Sequence, residues 1–384
     1  MEGKIVVFIG VILLPVLCGS GAHAQNKLMV CYFNTTNTLT PEHIDWNLCT
    51  HMIYKAAILE HSTNQISLIG RRDGSDENGY KGLHKSTLDL RKRYPRLKVL
   101  LAVGTWDDGS LKYSQMASTG TGRRRFVVSV LDTLKHYGFD GMSLDWEYPG
   151  QRGGGPEDRR NYDLLISELR IELDRQGLIF SGLLPQSRHW LESYDIESVK
   201  RNFHFICLTT YNYWGPWWDY NGIAAPLREV ETSVNLYLAK KVPREMIVVG
   251  IPAYAQTGTL AYAFKNQRPQ IVVGPGEEGP HSRFRGRLFY DEVVHMQRDS
   301  PSEWTVYKDE PSQSPYAVKG LLYITYDDPI SVERKAHFIQ RKGLGGAMIM
   351  TIDSDDHRGT GSNETTFPLT RTLHRILRGN REDE

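Results

Sequence analysis

Short apolar runs recur along this chain, separated by longer stretches whose apolar residues fall on one helical face. The runs are 28–33, 50–57, 97–103, 141–147, 180–185, 203–211, 246–252 and 346–353. Several are apolar almost throughout, the pattern of parallel strands covered on both faces. Between them, 122–136 and 157–176 read as amphipathic helices. The first places Phe126, Val127, Val130, Leu131 and Leu134 at core-facing positions. Strands alternating with helices predict the α/β class and a (β/α)8 TIM barrel. The pattern by itself leaves a doubly wound open sheet as the alternative.

The interval 252–346 is too long for one helix and its loops. It contains Gly-Pro-Gly-Glu-Glu-Gly-Pro at 274–280 and several aromatic clusters. We read 257–323 as an α+β subdomain inserted between strand 7 and strand 8, and 25–384 as one barrel domain that carries it. The N-terminus differs in kind. Lys4 precedes an apolar run from Ile5 to Leu17, and Ala22-His23-Ala24 has the small-x-small form of a signal-peptidase site. Residues 1–24 are therefore expected to be a signal peptide and the protein to be secreted and extracellular. A retained membrane anchor is the alternative.

Composition narrows the function. The chain has 384 residues, 40% of them hydrophobic, which is ample for a large core. A net charge of +1 gives no electrostatic basis for binding nucleic acid or an anionic membrane. Cys18 leaves with the signal segment, so Cys31, Cys49 and Cys207 remain. Secretion permits disulfides. Cys207 lies in an apolar strand and reads as a buried free thiol. No Cys or His spacing fits a metal site, and no cofactor is expected. Asn34-Thr35-Thr36 and Asn363-Glu364-Thr365 are glycosylation sequons.

Candidate chemistry concentrates in Phe139-Asp140-Gly141-Met142-Ser143-Leu144-Asp145-Trp146-Glu147-Tyr148-Pro149-Gly150. Strand alternation puts Ser143, Asp145 and Glu147 on one face and Leu144 and Trp146 on the other. A carboxyl at a strand end, with a second carboxyl one pleat below, suits general-acid work. The neighbouring charge disfavours ionisation, so the upper group keeps its proton nearer neutral pH.

This segment resembles the signature of glycoside hydrolase family 18, the chitinases and chitinase-like lectins, Asp-Gly-x-Asp-x-Asp-Trp-Glu-Tyr-Pro. Ser143 stands where that pattern has its middle Asp. The resemblance runs from about Lys27 to the end of the chain. It implies cleavage of β-1,4-linked N-acetylglucosamine with retention, the substrate's own acetamido oxygen attacking the anomeric carbon. Glu147 then falls at the proton donor, Asp145 at the carboxylate that orients the acetamido group, and Tyr211 at the hydroxyl that meets its oxygen. Tyr32, Trp106, Asn212, Trp217, Tyr254 and Met350 fall at substrate-binding positions. Cys31 and Cys49 match a family disulfide. The implied partner is chitin or chito-oligosaccharides, and the protein is expected to be a monomer.

Other positions depart from the pattern. Asn212 replaces an Asp, Met350 a Trp, Gln256 an Arg found in many members, and Thr36 a distal Trp. These departures keep a non-catalytic lectin or growth-factor-like protein as the alternative function. Ser143 carries a further expectation. Without a carboxylate there, Asp145 should ionise more readily, and its charge should keep Glu147 protonated to higher pH.

Overall fold

Alternate residues of the first strand, β1 (Leu28–Asn34), go to two separate cores. Met29, Cys31 and Phe33 join one apolar cluster, while Val30 and Tyr32 join another. The same division runs through Lys98–Val103, with Val99, Leu101 and Val103 on one side and Leu100 and Ala102 on the other. One face packs under the helices and the other fills the interior of a barrel. Strands buried on both faces need unbroken apolar runs, which is what the sequence supplies.

The structure is a computed structural model that describes residues 27–34, 39–69, 89–264, 268–361 and 365–379. The remaining barrel strands are β2 (His51–Glu60), β3 (Lys98–Val103), β4 (Gly141–Leu144), β5 (Ile179–Leu184), β6 (Phe205–Leu208), β7 (Ile247–Pro252) and β8 (Gly346–Met350). Each pairs in parallel with the next. β8 returns to β1, Leu28 opposite Gly346, so the barrel closes. Closure excludes the open doubly wound sheet. A short strand, Gln65–Leu68, adds antiparallel to the far end of β2.

Three strands end earlier than their apolar runs predict. β4 stops at Leu144, β6 at Leu208 and β8 at Met350. Asp145 and Thr209 each add one more amide bond to the neighbouring strand, to Val103 and Leu184 at 2.8 and 2.9 Å, and beyond β6 and β8 the backbone turns on itself. Thr210 and Tyr211 donate their amides to Leu208 and Thr209, at 2.8 and 2.7 Å. Ser354 donates to Thr351 at 3.0 Å. Apolar pattern cannot mark such ends, because the turned residues are buried too.

The two predicted helices form at Gly120–Tyr137 and Asp158–Arg175. Thr119 caps the first through the amide of Gly122, and Gly138 ends it in the left-handed region. One other glycine sets the site. Gly104, just past β3, has φ +107°, and a Cβ there would lie 2.5 Å from the carbonyl oxygen of Asp145. Only glycine lets the ends of β3 and β4 approach this closely.

A second sheet lies between β7 and β8. Its antiparallel order is Val272–Pro275, Tyr254–Leu260, Leu322–Thr325, Pro315–Lys319, Thr305–Lys308, with Arg287–Phe289 also paired to the Tyr254 strand. A helix, Tyr290–Asp299, accompanies it. The sheet starts at Tyr254 and ends at Thr325, slightly outside 257–323. Only Ala253 separates Tyr254-Ala255-Gln256 from β7 before it joins the second sheet. Trp214, Ile223, Leu260, Val272, Tyr316, Val318 and Tyr323 give this sheet its own core.

Cys31 and Cys49 form a disulfide with Cα atoms 6.0 Å apart, tying β1 to the segment before β2. Cys207 is a buried free thiol, its pKa pushed up by burial. Residues 1–24, Thr36 and Asn363 lie outside the described residues. Among those described, no helix is long and apolar enough to cross a membrane.

Candidate active site

The end of β4 carries the carboxyls. Ser143 is fully buried, and its Oγ donates to Asp145 Oδ1 at 2.7 Å. Tyr32 reaches in from β1 and donates its hydroxyl to the same oxygen at 3.2 Å, with Ser143 Oγ 3.1 Å away. Tyr32 has no exposed surface, so it underpins Asp145 from beneath and lines no open wall. Trp146 points to the helical side, where its indole N–H meets Ser110 Oγ and Tyr194 OH donates to its carbonyl at 3.3 Å. Glu147 follows, largely surrounded by protein but still partly exposed.

Solvent removal dominates the titration of both acids. Burial pushes Asp145 up to about 8; the Ser143 hydrogen bond opposes this, the Glu147 charge adds to it, and Lys55 and Tyr32 oppose it. Glu147 is also raised by burial, against Lys55, a hydrogen bond from Tyr148, and Arg152. Ser143 is expected to let Asp145 ionise more readily than a carboxylate there would, yet burial holds Asp145 well above the ordinary carboxyl range, so it is not an Asp145 charge that keeps Glu147 protonated at neutral pH. Removing a neighbouring charge does less than removing water, and the two hydroxyl donors do not make up the difference. The protons leave the two carboxyls as a coupled group.

A stability test follows from the sign of that shift. Between about pH 4 and pH 8, an unfolded chain has lost the Asp145 proton that the folded chain still holds. Folding stability should therefore fall as pH rises through that window and level off above it. Asp145→Asn keeps an acceptor for Ser143 and Tyr32 but cannot ionise. Its unfolding free energy should gain on the parent's from pH 4 to pH 8, with an upper bound on the order of 5 kcal/mol. A constant difference across that range would show that Asp145 titrates as an ordinary carboxyl.

The opposite side comes from the turns after β6 and β7. Thr210 stitches these strands together, donating to the Gly250 carbonyl and accepting from its amide, both at 2.8 Å. Tyr211 is buried, its ring 6.3 Å from that of Tyr254 and nearly perpendicular. Asn212 sits at φ +58°, a conformation Asn tolerates better than most residues. Its Oδ1 accepts from Tyr254 OH at 3.0 Å and from Gln256 Nε2 at 2.7 Å. Two of the departures thus touch each other. Where the resemblance leads one to expect a carboxylate and a guanidinium, this chain has a neutral amide pair. A cation nevertheless stands close by. Arg287, directly opposite Gln256 on the adjoining strand, lies over the Tyr254 ring at 4.4 Å and the Phe284 ring at 5.2 Å. Met350 ends β8 in the same interior cluster as Tyr32, Tyr211 and Tyr254.

Trp106 and Trp217 are placed differently from each other. Trp106 follows β3 and is 48% exposed, but the Arg152 guanidinium lies 3.7 Å over its ring and Trp190 runs parallel to it at 5.8 Å. Trp217 is 58% exposed, in the loop after β6. Asn34 stands at the end of β1, half-buried, its amide donating to Asp353 Oδ1 at 2.9 Å. Among the described residues, no His, Cys, Asp and Glu group is arranged to hold a metal ion.

Sequence reasoning missed Lys55, Tyr148, Arg152 and Trp190. Tyr148 and Arg152 adjoin Glu147 in the chain, so proximity alone could have raised them. Lys55 sits on β2, and its charge acts on both carboxyls. Trp190 packs on both Tyr148 and Trp106. Neither has a local signal, because barrel closure brings them in.

Comparison with known proteins gives the family. The profile for "Glycosyl hydrolases family 18" matches residues 28–355. A probable chitinase 2 of Drosophila melanogaster is 35% identical over 87% of this chain and 73% of its own length. The crystal structure of an Ostrinia furnacalis Group IV chitinase superposes with a TM-score of 0.86 at 30% identity, covering 92% of this chain and all of that one. Human YKL-39, described as a pseudo-chitinase with retained chitooligosaccharide binding, superposes with a TM-score of 0.83 at 29% identity over 91% of this chain and 99% of its own. The matched span takes in every barrel strand, and this chain belongs to glycoside hydrolase family 18.

Proposed function

We propose that this protein binds chitin or chito-oligosaccharides outside the cell and cleaves their β-1,4-N-acetylglucosamine linkages by a substrate-assisted retaining route. The observation that carries the reading is Glu147, a partly exposed carboxyl raised by burial, next to an Asp145 fixed by Ser143 and Tyr32. A group that keeps its proton above the ordinary carboxyl range can give it to a leaving oxygen. In this reading Asp145 orients the acetamido group, Tyr211 meets its oxygen, and Asn212, Tyr254 and Met350 bound the sugar at the cleavage point. The 1–24 segment as signal peptide, the bounds of the inserted subdomain and a monomeric state belong to the same proposal. Product analysis after long incubation with chitohexaose tests the hydrolysis.

A second reading is favoured by the Asn212–Gln256 pair. With no carboxylate at 212, the oxazolinium ion lacks its facing negative charge, and the protein is a binder with little turnover, as YKL-39 is described. Both readings need sugar-stacking surfaces. Trp217→Ala should weaken chitotetraose binding by about 1–3 kcal/mol, since the exposed ring returns the sugar's apolar face to water when lost. Trp106→Ala should cost less, because Arg152 already covers that ring. Calorimetry decides this; affinities within about twofold of the parent for both variants would make the rings packing residues.

A further inference from the structure

On β2 the alternation of faces breaks once. Ile53 packs in the barrel interior and Tyr54 on the helical side; Ala56 is interior again and Ala57 helical. One residue is therefore extra, and Lys55, which follows an outward residue, turns inward. The pairing with β3 agrees. Tyr54 stands opposite Leu101 and Ala57 opposite Val103, so Lys55 and Ala56 together face Ala102. A bulge of this kind re-aims a side chain, and such bulges gather beside active sites.

Small residues lie across from Lys55. Ala102 pairs on its other side with Ser143 of β4. Lys55 and Ser143 thus flank Ala102 at one level, two strand spacings or roughly 10 Å apart. Gly104, two residues further on, has no side chain to close the gap. The four-carbon stem of a lysine can extend over this lane toward the end of β4, where Asp145 and Glu147 sit. One interior layer lower, Tyr32 pairs with Ile53 and holds Asp145 from beneath.

Several elements bring titratable groups to Glu147. Asp145 precedes it and Asp107 follows β3, while Lys55 and Arg152 are the cations. Tyr148, Tyr194, Tyr211 and Tyr254 add hydroxyls that burial raises above the ordinary tyrosine range, so they are uncharged at neutral pH. Arg152 is committed to the Trp106 ring and to the carbonyls of Trp106 and Glu147. Lys55, half-buried on β2, is the foremost group opposing the rise that burial gives Glu147.

We propose that Lys55 is a positioning residue for the cleavage, its ammonium facing, across the Ala102–Gly104 lane, the charge that appears on Glu147 when the proton leaves. The inference rests on the hydrolysis reading above and names a group that works through Glu147. As the proton passes to the glycosidic oxygen, the bond from that oxygen to the anomeric carbon breaks. The acetamido oxygen bonds to the carbon, and Glu147 is left a carboxylate. Burial disfavours that carboxylate, and a cation close by favours it. The attraction grows along the reaction, so it raises kcat and leaves substrate binding unchanged.

Lys55→Met keeps an apolar stem and removes the charge. Its kcat on chitohexaose should fall on the order of tenfold, the scale of a unit charge at roughly 10 Å in an effective dielectric of about 20. KM should stay within about twofold of the parent. The alkaline limb of the kcat profile should move to higher pH, because Glu147 then holds its proton longer. Lys55→Arg should restore both rate and limb. A second readout needs no turnover. In Asp145→Asn, Glu147 is the carboxyl of the pair left to titrate, and its raised pKa makes unfolding free energy fall as pH rises toward that value. Adding Lys55→Met should carry that fall to higher pH. A stability profile that stays put overturns the proposal, whatever the rates do. So does a Lys55→Arg variant that behaves as Lys55→Met, which would assign the loss to packing. A parent that leaves chitohexaose intact while the stability profile moves overturns the hydrolysis reading and keeps Lys55 facing Glu147.

Discussion

Glu147→Gln should abolish chitohexaose cleavage while leaving oligosaccharide affinity close to that of the parent. Glutamine keeps the size and hydrogen-bonding reach of the side chain but has no proton to give. Loss of a positioned general acid costs on the order of 10²–10⁴ in rate. The environment makes this side chain the donor of choice. It is the carboxyl of the pair with partial exposure, raised by burial, whereas Asp145 is buried and already holds two hydroxyl donors. Equal product formation by parent and variant would remove the catalytic assignment. Undetectable cleavage by both, with binding retained, would favour the lectin reading.

Asn212→Asp should raise kcat by roughly tenfold to a hundredfold, with little change in KM. The carboxylate would keep both donors, Tyr254 OH and Gln256 Nε2, and the left-handed backbone there suits Asp as well as Asn. What it adds is a fixed negative charge where positive charge develops in the transition state. Arg287, over the Tyr254 ring, supplies a nearby cation that helps the new carboxylate stay ionised. For the same reason, Gln256→Arg should add nothing further. It would set a second guanidinium directly opposite Arg287 on the adjoining strand, and like charges opposite one another are destabilising. Steady-state kinetics on the single and double variants checks both statements. A fall in kcat for folded Asn212→Asp would mean that the neutral pair is the working arrangement.

Much of this protein is legible along the chain. Strand positions follow from unbroken apolar runs, because a barrel strand is covered on both faces. Glu147 and Asp145 announce themselves as two carboxyls at a strand's end, although the strand itself stops at Leu144, before either of them. The disulfide pairing came with the family resemblance, and the structure places those cysteines together. Other features depend on chain segments far apart in sequence. Closure of the barrel, shown by Leu28 opposite Gly346, is a pairing between its two ends that no local pattern encodes. Tyr32 reads as a cleft residue until the closed barrel carries its hydroxyl under Asp145. Charge counting alone made Asp145 the easier acid to ionise. Its burial is a tertiary property, and desolvation outweighs the missing neighbour. Asn212 and Gln256 look like two separate losses in sequence. They become one neutral pair only when the turn after β6 meets the strand after β7. The sequence by itself determined which residues are present, their alternation and the strand and helix periods, since these are local. Tertiary structure decided which groups meet and how much water they keep, and thereby the direction in which their pKa values move.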